Sequence, residues 1–286
     1  MKNRNIIKQD YHLVNAKYKL NTSEIKFILS VLSQIDSDDL EFKEYEIKVS
    51  DLETRLQSKQ NETHLKQFAK KILSKPLEVL TNDGWIVFNW FEHIEYVRGH
   101  SKFKVSISKK LKPYLLELKE RFVKYNLGFI LPLTSNYSIR IYQLLKEYEK
   151  LTRRTFTVLE LQELLQVPKS LIRYDNFKRK VLQVAEKELI ENCDIFFEFE
   201  EIKEGRKINE ILFRIKPNKA ISPNNQPSLF VSEPSKYELY IGKSIKTPQG
   251  LKIIKLITEF ADFLNVDFED GTTAKINLVT LLSCLR

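Results

Sequence analysis

The chain has 286 residues, 42% hydrophobic and 30% charged, an ordinary soluble composition long enough for two or three domains. It has no run of about 18 apolar residues to span a membrane and no secretory signal at its start, and two cysteines, Cys193 and Cys284, cannot build a disulfide framework, so a reducing cytoplasm is expected. Its formal net charge is +9, which points to a polyanionic partner, although a protein that is merely basic fits the charge alone equally well.

Taken in chain order, Ile25, Ile28, Leu29, Leu32 and Ile35 recur at helical spacing, with Thr22 and Ser23 as expected N-caps. The alternating run "EYEIKV" predicts a strand, and Ser50 and Glu53 fit a capping box opening a short helix. A second helix is expected from about Asn61 to Lys75, with Leu65, Phe68, Ala69, Ile72 and Leu73 inward and Pro76 ending it. Strands follow at "WIVFNWF", "IEYVRG" and "KFKVSIS".

The same order then recurs about 110 residues later. "SNYSIRIYQLLKEYEK" is a helix with Ile139, Tyr142, Leu145 and Tyr148 near one face, and "RTFT" a short strand. Thr157 and Glu160 open the helix "VLELQELLQV". The next helix, about Asn176 to Glu191, buries Phe177, Val181, Val184, Ala185 and Leu189, and "DIFFEFEEIKEGRKINEILFRIK" turns as a hairpin at Glu204-Gly205. Helix, strand, helix, helix, hairpin is the winged helix, here in tandem.

The expected architecture is therefore α+β. Residues 1–125 form the first winged helix and 126–219 the second; 220–236, rich in Pro, Asn and Ser, form a linker. In 237–286, strand-like runs separated by turn signals, with Asp270-Gly271 a good hairpin turn, suit a small five-stranded barrel or half-open sheet cored by Phe260, Phe263 and Phe268.

Catalytic chemistry finds no support in the residues. Seven glycines form neither G-x-x-x-x-G-K-[ST] nor G-x-G-x-x-G, and His12, His64, His93 and His100 are too scattered to hold a catalytic metal. No Cys/His spacing suits zinc, so neither cofactor nor metal is expected.

Nucleic-acid chemistry does find support. Forty basic against thirty-one acidic side chains lie in residues 1–219, which carry the whole excess. At 100° per residue, the solvent side of the second copy's third helix presents Asn176, Arg179, Lys180, Gln183 and Lys187. Arg, Asn and Gln make bidentate contacts to guanine and adenine edges in the major groove. The matching helix of the first copy presents Thr63, His64, Gln67, Lys70 and Lys71. Arg206 and Lys207, and Arg98 and Lys102 in the first copy, sit at the wing tips, where phosphate or minor-groove contacts are made. Any amphipathic helix exposes such residues; two at equivalent places in a basic tandem are stronger evidence.

The segments "FILPLTSNYSIRIYQLLKEYEK", "FTVLELQELLQVP", "YDNFKRKVLQVAEKELIEN" and "EGRKINEILFRI" resemble the second winged helix of iteron-binding plasmid replication initiators. "IIKQDYHLVNAKYKLNTSEIKFILSVLSQI" resembles the start of their first. The likeness spans about residues 5–217. It implies a non-enzymatic initiator whose monomers bind direct repeats in double-stranded origin DNA, help melt it and recruit the host initiator and helicase. Homodimers joined through the first domain would repress the initiator's own gene. It also implies that the second domain dominates sequence-specific contact, here through Asn176, Arg179, Lys180 and Gln183. Two other readings remain, a winged-helix transcriptional regulator and an architectural protein binding DNA without sequence preference.

The initiator likeness gives meaning to one stretch of the linker. Gln226, Ser228, Leu229 and Phe230 resemble the peptide by which bacterial replication proteins dock on the sliding clamp, with Pro227 at its tolerant second place. An extended peptide can put Leu and Phe into an apolar pocket while Gln bonds at the rim.

Overall fold

The structure, a computed structural model, describes residues 5–36, 38–50, 61–81, 83–118, 121–221, 243–247, 250–259, 264–270 and 272–276. Glu53 of the expected Ser50–Glu53 capping box, the linker peptide at 226–230, and Phe260, Phe263 and Cys284 lie outside them.

The first unit, Met1–Pro227, opens with β1 (Ile6–Asp10), the one-turn helix α1 (Tyr11–Val14), β2 (Lys17–Tyr18) and α2 (Thr22–Leu32). The cap of α2 is Asn21, not the expected Thr22 or Ser23. Its side chain accepts from Glu24 N at 2.9 Å while Glu24 bonds back to Asn21 N at 2.8 Å, so two free helix-end donors are satisfied reciprocally. Thr22 instead donates its hydroxyl to the Thr134 carbonyl. After β3 (Glu44–Lys48) comes α3 (Glu62–Leu73), capped by Asn61 and burying Leu65 and Ile72. Next are β4 (Leu77–Thr81), β5 (Gly84–Phe88), β6 (Phe91–Val97) and β7 (Lys102–Ile107). The short helix α4 (Lys112–Leu115) and β8 (Phe122–Asn126) lead out of the first copy.

The second copy runs α5 (Asn136–Lys146), β9 (Arg153–Thr157), α6 (Val158–Leu164) and α7 (Tyr174–Phe177). Helix α7 passes through a π turn at Lys178–Leu182 into α8 (Gln183–Asn192), followed by β10 (Ile195–Glu204) and β11 (Lys207–Pro217). Ser135 caps α5, and the Thr157 hydroxyl caps α6 by accepting from Glu160 N at 3.1 Å.

Sheet order makes the duplication visible. In the first copy the order is β3-β7-β6, and in the second β10-β11-β9. In each, the strand after the first helix pairs with the returning strand of the hairpin, so helices and wing close around one core. Phe27 meets Phe68, Phe91 and Phe103 edge-on at 5.4, 6.0 and 5.8 Å in the first. Phe213 meets Phe156 at 5.9 Å and Phe197 at 5.1 Å in the second. Such edge-to-face contacts add to the burial of the rings themselves.

The first copy carries more than the sequence pattern predicts. Its "WIVFNWF" run is split. β5 ends at Phe88 and pairs with the unpredicted β4, in a β2-β4-β5 sheet, whereas Phe91 begins the wing. Strands β1 and β8, far apart in sequence, pair antiparallel, with Ile7 opposite Tyr125.

The second unit, Ser228–Arg286, shows a four-stranded antiparallel meander, β12 (Ser244–Thr247), β13 (Gly250–Glu259), β14 (Leu264–Phe268) and β15 (Thr273–Ile276), in sequence order. Ile245, Ile254, Val266 and Phe268 are buried. Among the described residues no fifth strand closes this sheet into a barrel.

Candidate nucleic-acid interface

In the second copy, the helix expected to be read as one straight rod contains a π turn. Five residues in that turn, Lys178 to Leu182, shift the helix phase, so its buried row is Phe177, Val181, Leu182, Ala185 and Leu189. Leu182 replaces the expected Val184, which is only partly buried. The polar face nevertheless survives: Arg179, Lys180, Gln183 and Lys187 are exposed, and Asn176 is half-buried.

Partners separate these side chains. Asn176 donates its amide to the Ser170 carbonyl at 3.2 Å, and its Oδ1 accepts from Arg179 at 3.5 Å. It thus braces Arg179 rather than projecting alone. Lys187 lies 4.0 Å from Glu191, one turn on. Lys180 and Gln183 have no side-chain partner among the described residues. Two further basic residues, Lys169 and Arg173, flank the head of α7. They follow Pro168, in and just beyond a 3-10 turn (Lys169–Leu171), and Arg173 bonds Asp175 at 3.1 Å.

The wing of this copy is a long hairpin. Its tip is the two-residue turn Gly205-Arg206, and Gly205 takes a φ of +61°, the positive value that such a turn demands of its first residue. Arg206 and Lys207 are exposed there, without partners among the described residues. The strands behind them carry neutralised pairs, Arg214–Glu200 and Lys216–Glu198, at 2.6 and 2.5 Å. Lys178, in the π turn, reaches Glu201 on β10 at 2.6 Å, and Tyr174 donates to the same carboxylate at 3.0 Å. The head of α7 and the outer half of the hairpin are thereby tied together through Glu201.

The first copy is arranged differently. Thr63, His64, Gln67, Lys70 and Lys71 are all exposed on α3, as the helical spacing predicts. Its wing cations are not free. Arg98 holds Glu62, the first residue of α3, in a bidentate bridge at 2.7 and 2.9 Å, and its hydrogen bonds hold the Glu62 carboxyl below the ordinary range. Lys102 holds Glu46 at 2.7 Å and lowers that carboxyl likewise. Arg98 and Lys102, expected as phosphate contacts, thus each carry a carboxylate partner on the protein surface.

Cys193 is a core thiol: it is fully buried, burial raises its pKa, and Sγ donates to the Phe129 carbonyl. No cluster of His, Cys, Asp or Glu among the described residues could hold a metal, and none of the described helices is long and apolar enough to cross a membrane.

Two family models match the chain, "Initiator Replication protein, WH1" over residues 6–146 and "Initiator Rep protein, WH2" over residues 157–215. The chain belongs to the initiator replication protein family. The first model runs through α5, which the fold places at the head of the second copy. A replication initiation protein of Escherichia coli is 27% identical over 158 residues, 53% of this chain and 48% of that protein. The matched region thus spans about half the length of that curated relative. A crystal structure of the Pi initiator protein in complex with iteron DNA superposes with a TM-score of 0.62 at 22% identity, covering 77% of this chain and all of that one. At that identity the likeness is one of fold.

Proposed function

We propose that this chain is a plasmid replication initiator, working without catalysis in the cytoplasm. It binds direct repeats at an origin as a monomer through both winged helices, promotes melting and recruits host replication proteins. As a dimer joined through residues 1–125 it represses its own gene. The observation that carries the reading is the second copy's open face in a chain of initiator family: Arg179, Lys180 and Gln183 on the helix, and Arg206 and Lys207 on the wing. Arg179 and Gln183 read base edges, Asn176 orients Arg179, and the wing pair neutralises phosphate. Thr63, His64, Gln67, Lys70 and Lys71 make auxiliary contacts in the first copy, and Lys187 a peripheral one.

A gel-shift titration of the purified chain against duplex flanking its own gene, beside a scrambled duplex, checks this. Specific affinity should exceed non-specific by about a thousandfold or more. Near-equal affinities with a steep salt dependence would instead favour an architectural protein.

Residues 237–286 are read as a small all-β module, half-open or barrel-like, behind the linker 220–236; the four-stranded meander supports its all-β character. Within the linker, Gln226, Ser228, Leu229 and Phe230 dock on the sliding clamp. Clamp pull-down should retain the wild-type chain and lose Leu229→Ala/Phe230→Ala, and equal retention would end that idea.

A further inference from the structure

Between the two winged helices lies a seam whose centre is polar and buried. Arg140, on α5, is 3% exposed, Gln143 1% and Gln9 2%. Hydrogen bonds run through them in one direction. Arg140 donates from Nη1 to the Tyr18 hydroxyl at 2.8 Å, and Tyr18 donates to Gln143 Oε1 at 3.3 Å. Gln143 donates to the Tyr125 hydroxyl at 2.6 Å, which donates to Gln9 Oε1 at 2.6 Å. From its other nitrogen, Nη2, Arg140 reaches the Ala16 carbonyl at 2.9 Å, and its guanidinium stacks on the Tyr18 ring at 4.2 Å. Gln9, Ala16 and Tyr18 belong to the first copy; Arg140 and Gln143 belong to the second.

No carboxylate pairs with Arg140 among the described residues, and its Nε has no partner. A buried cation held by neutral acceptors is costly, so stability alone does not account for it. Its directional bonds do something an apolar seam cannot. Apolar surfaces can slide over one another, but a small slide here would break at once the bonds that the Arg140 guanidinium and the Gln143 amide make to the Tyr18 and Tyr125 hydroxyls and the Ala16 carbonyl.

We infer that Arg140 is a positioning residue that locks the two winged helices in one mutual arrangement, so that the chain reads its DNA as a ruler of fixed half-site spacing. This rests on the DNA-binding function proposed above. Arg140 itself touches no DNA in this account; it acts by fixing where α3 stands relative to α7 and α8.

The full-length chain tests this against a duplex that wild type selects from a randomised 30-bp pool. Footprinting that duplex locates the two contacted segments, and a second duplex carries 5 bp inserted between them. Half a helical turn sends the second segment to the opposite side of the duplex. Wild type should bind the insertion about 30-fold more weakly, the loss of one domain's base contacts. Arg140→Met keeps the apolar stem and removes the donors. It should bind both duplexes within about threefold of each other, at the weaker, one-domain level.

Tyr18→Phe keeps the ring and removes only the linking hydroxyl. It should show an intermediate penalty, and it decides the matter if Arg140→Met does not fold. Variants as spacing-sensitive as wild type would overturn the inference, since a merely structural Arg140 would change stability and leave the spacing ratio intact. A sequence-selective but spacing-tolerant wild type would overturn it too, leaving the proposed function standing. A chain that selects no sequence would instead bring down the proposed function itself.

Discussion

The two winged helices share one topology and use their cations in opposite ways. In the second copy, Arg206 and Lys207 at the wing tip and Lys180 and Gln183 on the helix have no side-chain partner among the described residues. In the first, Arg98 and Lys102 are held by Glu62 and Glu46. The Arg98–Glu62 bridge joins the wing directly to the head of the recognition helix. It neutralises Arg98 locally, whereas Arg206 and Lys207 of the second copy carry no such partner among the described residues.

Substitutions across the two copies should follow that difference. The largest effect belongs to the second copy's helix: Arg179→Ala should weaken specific binding by about 1–3 kcal/mol and relax one base position in a gel-shift series. Unchanged affinity would mean that the reading face is misplaced. Next, Glu62→Ala should tighten binding by about three- to tenfold at low salt, because it frees Arg98 and adds about one phosphate contact to the salt dependence. A loss of affinity would show that the bridge serves DNA binding by holding the wing. Lys207→Ala should lower affinity by about fivefold for all sequences alike and reduce the salt slope by about 1. Base-selective loss would contradict a phosphate role. Smallest of all, Arg98→Ala should change affinity by less than about twofold, its charge being already engaged. If it cost as much as Lys207→Ala, the contrast between the copies would not hold.

Local pattern made much of this fold legible. Alternation exposed the β10–β11 hairpin, and the helices of both copies followed their apolar spacing, so the tandem could be read from one sequence. What stayed hidden depended on distant partners. Strand β1 is ordinary in sequence, and only pairing with β8, Ile7 opposite Tyr125, makes it a strand. Asn21 outcompeted Thr22 as a cap because Glu24 stands three residues on to return the bond. The π turn moved Leu182 into the core, which a rotation of 100° per residue cannot foresee. At the site, residue types on the helix faces were readable. The pairing of Arg98 and Lys102 with carboxylates 36 and 56 residues away was not.

The central claim, two winged helices of one chain engaging repeated DNA, is most directly tested by footprinting the purified protein on the DNA flanking its own gene. Protection of an array of direct repeats is expected. Each repeat should show two protected major-groove segments about one helical turn apart, and Arg179→Ala should lose protection of the segment bound by the second copy first. Protection of a single palindrome would point to a regulator, and uniform weak protection without sequence preference would contradict an iteron-binding initiator.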